Sequence, residues 1–178
     1  MDIRPVEPGD RDRLAAFFQR IPEGDRTFFK EDVLDPESVA AWTTDRHNRR
    51  QLALTPAGDV VGYVAVFPGV GWSSHVAELR VVVDPAARGD GLGRALARAG
   101  LLTALDLGLA KLVVEVIAEQ TAPINMFQGI GFEPEALLKD HVRDRDGELR
   151  DLVVLSHAVA STWSSMATIG MEEAVGEG

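Results

Sequence analysis

The side chains whose types and spacing can do chemistry lie between residues 78 and 94. Glu78 interrupts the apolar run HVAELRVVV, and ten residues later Arg88, Gly91 and Gly93 satisfy the spacing R-x-x-G-x-G. That loop directly follows a β-branched run and directly precedes the Ala/Leu-rich stretch ALARAG. Glycines at a strand-to-helix junction remove the Cβ atoms that would hold a ligand away from the backbone. The first amides of the next helix point outward with the dipole behind them, so the pattern suits an anion. Two other phosphate loops fail on spacing. A P-loop needs Lys and then Ser or Thr after its last glycine, where Arg94 and Ala95 stand. A dinucleotide fingerprint needs its third glycine one residue later than Gly93. Between Asp84 and Gly100 three arginines, Arg88, Arg94 and Arg98, face two aspartates in a chain of net charge −10. That local reversal fits an anion site, although the solvated face of an amphipathic helix also accounts for Arg94 and Arg98.

The elements that must position these residues alternate along the chain. Ile3 to Val6 reads as a strand, and Asp10 is placed to N-cap a helix with Leu14, Phe17, Phe18 and Ile21 on one face. Asp35-Pro36 starts a second helix through Trp42. Gln51 to Thr55 and Val60 to Phe67, separated by Pro56-Ala57-Gly58-Asp59, form a hairpin, and His75 to Val83 is the next strand. Leu92, Ala95, Leu96, Ala99 and Leu102 fall at helical spacing with Gly108 at the C-terminal cap. Lys111 to Ala118 is a buried strand, followed by a short helix through Ile124 to Phe127 that ends near Gly129 and Gly131. Strands at about 136–142 and 152–158 flank the Asp-Gly reversal at 146–147. The order is βααβββαβαββ, with no internal repeat and no linker.

Composition narrows the partners. The 178 residues, 46% of them apolar, are enough for one domain with a sizeable core. The acidic balance argues against nucleic acid and anionic membrane, whose binding runs on neutralised phosphates; it suits an amine-bearing partner. Absence of cysteine excludes disulfides, zinc-thiolate sites and cysteine nucleophiles. No metal site is expected. The opening MDIRPVEPGD has no cationic segment leading into an apolar core, and no apolar run reaches about 18 residues, so a cytoplasmic protein is expected.

The stretch VVVDPAARGDGLGRAL resembles motif A of the GCN5-related N-acetyltransferase (GNAT) superfamily, whose signature is Gln or Arg, two residues, Gly, one residue, and Gly or Ala. A second block, MFQGIGFEPE, is similar to the family's helix after strand five, where an aromatic residue precedes a Gly-Phe pair. Here these are Phe127 and Gly131-Phe132. The resemblance covers residues 1–160 and implies an α/β (α+β) GNAT fold, a mixed central sheet of about seven strands with helices on both faces. Residues 161–178 are then a C-terminal tail, a short helix or disordered.

The resemblance also implies acetyl-CoA as co-substrate and a site to hold it. Its pyrophosphate would rest on the amides of Gly89, Asp90, Gly91, Leu92, Gly93 and Arg94, with Arg88 adding charge. Val81, Val82 and Val83 would pair their backbone with the pantetheine amides. Gln120 stands seven residues before Phe127, where the family often has an asparagine that contacts pantetheine, and the amide is kept on a longer stem. Many members have a tyrosine at the place of Phe127 that protonates the departing thiolate; Phe127 cannot, so the acid role is unfilled.

Acyl transfer to an amine needs the amine neutral, and a lysine-type amine with pKa near 10.4 calls for a general base, often through water, worth about 10² to 10⁴ in rate. Glu78 is the candidate base, since related acetyltransferases carry a glutamate near this place; a strand carboxylate paired with Arg80 is the other reading. A backbone N–H of the fourth strand would hold the developing oxyanion. His75 at the strand entrance, and Asp140 and His141 on the sixth strand, are further candidates that also read as surface residues. Phe28 and Phe29 read as walls of an acceptor pocket, with Glu23, Asp25, Glu31 and Asp32 drawing in a cation, and a solvated acidic loop explains the same residues. Arg46, His47, Arg49 and Arg50 read as a solvated turn. Trp163, Met166 and Ile169 read as a packing helix, a homodimer contact or a frayed end. Three functions follow: an N-acetyltransferase acting on a small primary amine or amino-acid-like acceptor, a protein lysine acetyltransferase, or a non-catalytic acyl-CoA binding module.

Overall fold

A computed structural model of the chain describes residues 2–26 and 29–160. The elements are β1 (Asp2–Pro5), α1 (Arg11–Arg20), α2 (Glu23–Arg26), α3 (Pro36–Trp42), β2 (Arg49–Leu54), β3 (Val60–Pro68), β4 (Val76–Val83), α4 (Leu92–Asp106), β5 (Lys111–Ile117), α5 (Thr121–Gln128), β6 (Glu133–Arg143) and β7 (Leu149–Ala158). One sheet holds all seven strands in the order β1-β2-β3-β4-β5-β7-β6. Every neighbouring pair is antiparallel except β4 and β5, which run parallel because α4 carries the chain back across the sheet.

Period-two alternation in the strands builds a core on each face. Leu52, Tyr63 and Ala65 pack with Leu14, Phe17, Phe18, Val39 and Trp42 of α1 and α3 on one side. Val64, Leu79, Leu112 and Val114 pack with Leu92, Leu96 and Leu101 of α4 and Phe127 of α5 on the other. The approach of α4 is close: a Cβ on Gly100 would lie 2.3 Å from Leu79 Cδ1, well inside van der Waals contact distance. Gly108 ends this helix at φ +67, with the Leu109 amide bonded to the Ala104 carbonyl, as its position in the sequence predicts.

Four local expectations need correcting. Asp10 takes the N-cap position of α1 but its side chain does not cap the helix; it closes a 3₁₀ turn, and its carboxylate accepts the Glu7 amide and both ends of the Arg4 guanidinium at 2.7 Å. Asp35 does cap α3, accepting the Glu37 and Ser38 amides. The acidic segment after Ile21 contains the single turn α2, so one more helix stands in the order. Helix α5 starts at Thr121 despite Pro123, because amides of the first helical turn have no internal acceptor to lose. Strand β6 starts at Glu133 despite Pro134, since β6 is the sheet edge, and the register slips beside that proline.

Candidate active site

Strands β4 and β5 pair only over Val76–Lys111, Ala77–Leu112 and Glu78–Val113. Beyond Glu78 they part, while β4 stays paired to β3 as far as Val83 and β5 stays paired to β7 as far as Ile117. The gap opens into a cleft of about 820 Å³, within the range of small-molecule sites. Its walls include Val81, Val82, Val83, Val114 and Val116 of the two strands and Gln120, Met126 and Phe127 at α5.

At one end of the cleft lies the glycine loop. Gly89 and Gly91 have φ of +97 and +80, and a Cβ on either would meet nothing within 4 Å. Gly91 occupies the N-cap position of α4, with no side chain capping the amides of Leu92, Gly93 and Arg94. Those amides lie in the first turn of a 15-residue helix, where the dipole favours an anion. Gly93 differs from its neighbours. It is helical, and a Cβ there would make ordinary contacts of 3.7 Å to Val83 and 3.9 Å to Met126, so the fold leaves room for alanine. The Arg88 side chain crosses the entrance, where it donates to the Val83 carbonyl at 3.2 Å and meets Asp25 Oδ2 of α2 at 2.5 Å. Arg88, Gly89, Gly91, Leu92, Gly93 and Arg94 line the cleft; exposed Asp90 does not.

At the other end, where the strands begin to part, carboxylates and cations alternate. Lys30 Nζ stands between Glu78 of β4 at 2.9 Å and Glu115 of β5 at 2.7 Å, and so bridges the mouth of the gap. Glu78 also accepts from Arg80 at 2.8 and 3.0 Å. Arg80 reaches Glu31 at 3.0 Å, Glu31 reaches Arg50 at 3.3 Å, and Arg50 reaches Asp45 at 2.6 Å. The Phe67 ring lies against both guanidiniums, 4.0 Å from that of Arg80 and 5.1 Å from that of Arg50. Three cations thus face four carboxylates, leaving one negative charge in excess.

The network sets protonation. Burial alone would raise the Glu78 carboxyl, but hydrogen bonds and charge from Arg80 and Lys30 outweigh it and hold Glu78 below its ordinary value. Burial would likewise raise Asp45, yet bonds from Arg50, Asn48 and the His47 amide bring it down to about 2. Tyr63 accepts from Arg50 Nε at 3.0 Å beneath the site, and burial pushes its hydroxyl up.

Residues singled out in the sequence are thereby sorted. Glu78, Val81 to Val83, Arg88, Gly89, Gly91 to Arg94, Gln120 and Phe127 share one cleft. Phe127 is 5% exposed and stacks edge-on to Phe132. His75, Asp140 and His141 are exposed and do not line it; Asp140 sits at an irregularity of β6 with φ +52. Arg50 is not part of a solvated turn: its side chain is 3% exposed and neutralised by Asp45 and Glu31. Phe29 lines the cleft, whereas Phe28 and the tail from 161, with Trp163, Met166 and Ile169, lie outside the described residues. Glu115 and Lys30 were missed, although an acid inside KLVVEVI carries the same signal as Glu78 inside HVAELRVVV.

Residues 13–132 match the model of the acetyltransferase (GNAT) family. The chain belongs to the GNAT family. A mycothiol acetyltransferase of Kocuria rhizophila is 33% identical to this GNAT chain over 141 residues, covering 74% of the chain and 45% of that protein. The chain spans from about a quarter to just under half of the mycothiol acetyltransferases of Arthrobacter, Kocuria and Pseudarthrobacter that it matches. Among solved GNAT structures, a ribosomal-protein-alanine N-acetyltransferase of Brucella melitensis is 26% identical with a TM-score of 0.77, covering 89% of this chain and 99% of that one. The Salmonella typhimurium protein yncA, solved with acetyl-CoA, superposes with a TM-score of 0.78 at 21% identity, covering 89% and 94%, a likeness of fold alone. The mixed seven-stranded sheet is the GNAT fold. No helix among the described residues is long and apolar enough to cross a membrane.

Proposed function

We propose that this chain transfers the acetyl group of acetyl-CoA to the primary amine of a small molecule or amino-acid-like acceptor. The observation that carries the reading is the parting of β4 from β5 directly after Glu78, with an anion-suited loop at one end of the gap and carboxylates at the other. From Val83 to Glu78 the strand covers about 17 Å at about 3.3 Å per residue, the reach of an extended pantetheine arm. The residues fit the co-substrate. The amides of Gly89 and of Gly91 to Arg94 and the Arg88 guanidinium would hold its pyrophosphate, and the backbone groups of Val81 to Val83 on the side that β5 has left would take its pantetheine amides. Gln120, which lines the cleft, would add a side-chain amide to the same arm.

Glu78 and Glu115 attract and orient the ammonium of the acceptor. Direct proton transfer from an ammonium of pKa near 10.4 to a carboxylate held below its ordinary 4.5 runs uphill by roughly 8 kcal/mol or more. Glu78 therefore acts as general base through water that carries the proton onward. The neutral amine attacks the thioester carbonyl, and the thiolate, a good leaving group, departs without a proton from Phe127. A soluble thiol has a pKa near 8.5, so water suffices to protonate it.

The same Phe127, with Glu78 tied into two ion pairs, favours one competing reading, a module that binds acyl-CoA without turnover. Free thiol release on a panel of small amines, amino acids and lysine peptides separates the readings: turnover on any member supports the transferase, and none supports the module. Glu78→Gln should slow turnover by about 10² to 10⁴. An unchanged rate removes Glu78 from the proton path.

A further inference from the structure

We infer that Lys30 is itself an acceptor: the protein acetylates this lysine in its own active site. The inference rests on the proposed transfer reaction and extends it to a residue of the same chain. Lys30 Nζ lies 2.9 Å from Glu78 and 2.7 Å from Glu115, at the point where the two strands begin to part. An acceptor amine needs that position. Its ammonium must meet the carboxylates that orient it, beside the end of the gap opposite the glycine loop.

The residue type supports the same conclusion. The chain has 18 basic residues, of which only Lys30, Lys111 and Lys139 are lysines. A bridge between two carboxylates is a role for which the forked guanidinium is better suited, and arginine is this chain's usual cation. Lysine is the basic side chain that becomes a nucleophile on losing a proton. The other lysines are elsewhere, Lys111 paired with Glu135 at 2.7 Å and Lys139 on the exposed edge strand β6.

In the reaction the Nζ ammonium loses one proton to water ordered by Glu78, a C–N bond forms to the acetyl carbon, the nitrogen gives a second proton to water, and the C–S bond of acetyl-CoA breaks. The thiolate leaves with the bonding pair and takes a proton from water, so the products are Nε-acetyl-Lys30 and free CoA thiol. The product amide carries no charge. Glu78 and Glu115 lose their shared cation, and the site's excess negative charge grows by one. Acetylation thereby opens the seat to an external ammonium and strengthens its attraction.

The test is peptide mass mapping of the full chain after incubation with acetyl-CoA alone. Lys30 should carry an acetyl group at least about tenfold sooner than Lys111 and Lys139, as an intramolecular reaction with a high effective concentration requires. The rate per molecule should not depend on protein concentration. Lys30→Arg, which keeps the charge, should reduce acetyl incorporation to the level of the other two lysines, and Glu78→Gln should slow it in the folded protein. Equal modification of all three lysines, or an equal rate in urea-unfolded chain, overturns the inference as solution chemistry. Thiol release with external amines is measured in parallel. Turnover on an external amine with Lys30 unmodified defeats this inference and leaves the proposed function standing, while modified Lys30 without external turnover does the reverse.

Discussion

Alanine placed at Gly91 and at Gly93 should move stability in opposite directions, although the two glycines are only two residues apart at the start of α4. Gly91 has φ +80 with open space around it, so the cost of a side chain there is conformational. A left-handed residue with a Cβ loses about 1–2 kcal/mol, of which about 0.4–1 is regained because alanine narrows the unfolded ensemble. Gly91→Ala should therefore destabilise by about 1 kcal/mol. At Gly93 the backbone is helical and the new methyl makes only ordinary contacts, so Gly93→Ala should stabilise by about 0.5–1 kcal/mol. For a chain of this size 1 kcal/mol shifts Tm by about 2–4 °C, well within the resolution of thermal unfolding. The second half of the assay adds acetyl-CoA, which at a hundredfold excess over Kd should add about 2.7 kcal/mol. Gly93→Ala should keep most of that added stability, because the resembling motif accepts alanine there. Gly93→Leu should abolish it while leaving the ligand-free protein folded, and Gly91→Val should abolish it through the loop. A higher Tm for Gly91→Ala would refute the conformational reasoning, and a full ligand shift in Gly93→Leu would remove the ligand from the first turn of α4.

Two further outcomes are expected. Arg88 is shared between Asp25 and the site, so Asp25→Asn should tighten acetyl-CoA binding a few-fold, whereas Arg88→Ala should weaken it by roughly tenfold, the loss of one charge-assisted hydrogen bond; calorimetry with acetyl-CoA reads both, and weaker binding in Asp25→Asn would contradict the competition. Asp45 titrates near 2 in the fold against an ordinary 3.8, so the unfolded chain binds its proton more tightly and stability rises with pH across that interval. Its contribution is present above about pH 4 and is lost as pH falls toward 2. Asp45→Asn should lower stability at pH 7 by about 1 kcal/mol after allowance for solvent screening, and flatten the acid limb of a urea-denaturation pH series. An acid limb identical to that of the parent protein would show that Asp45 does not supply it.

Much of the fold was legible because its signals are local. The Asp35-Pro36 helix start, the Asp-Gly reversal and the glycine loop depend on residues within one turn of each other. Helix α5 and strand β6 start earlier than expected, at Thr121 and Glu133: a proline's missing amide is costly only where a partner waits for it, and a first helical turn and an edge strand offer none. The site was half legible. The loop and Glu78 follow from spacing and resemblance, but the ion-pair network joins residues 30, 31, 45, 50, 78, 80 and 115, which only the sheet brings together. Arg50 read as solvated because its neighbours Arg46, His47 and Arg49 are; its own side chain turns inward onto Asp45 and Glu31. Lys30 carried no pattern of its own, and its meaning comes from the two strands it joins.

The three-residue pairing of β4 with β5 divides the sheet into two antiparallel blocks, β1 to β4 and β5 to β7, each continuous in sequence. Within them β2–β3–β4 and β6–β7 pair as consecutive hairpins, so each block holds a local unit that can form early, with the longer-range β1–β2 and β5–β7 pairings and the docking of the blocks as later, slower steps. A ligand lying in the gap supplies backbone partners to both blocks and acts as an eighth strand along part of the seam. Amide exchange at 79–83 and 114–117 should therefore slow when acetyl-CoA is added.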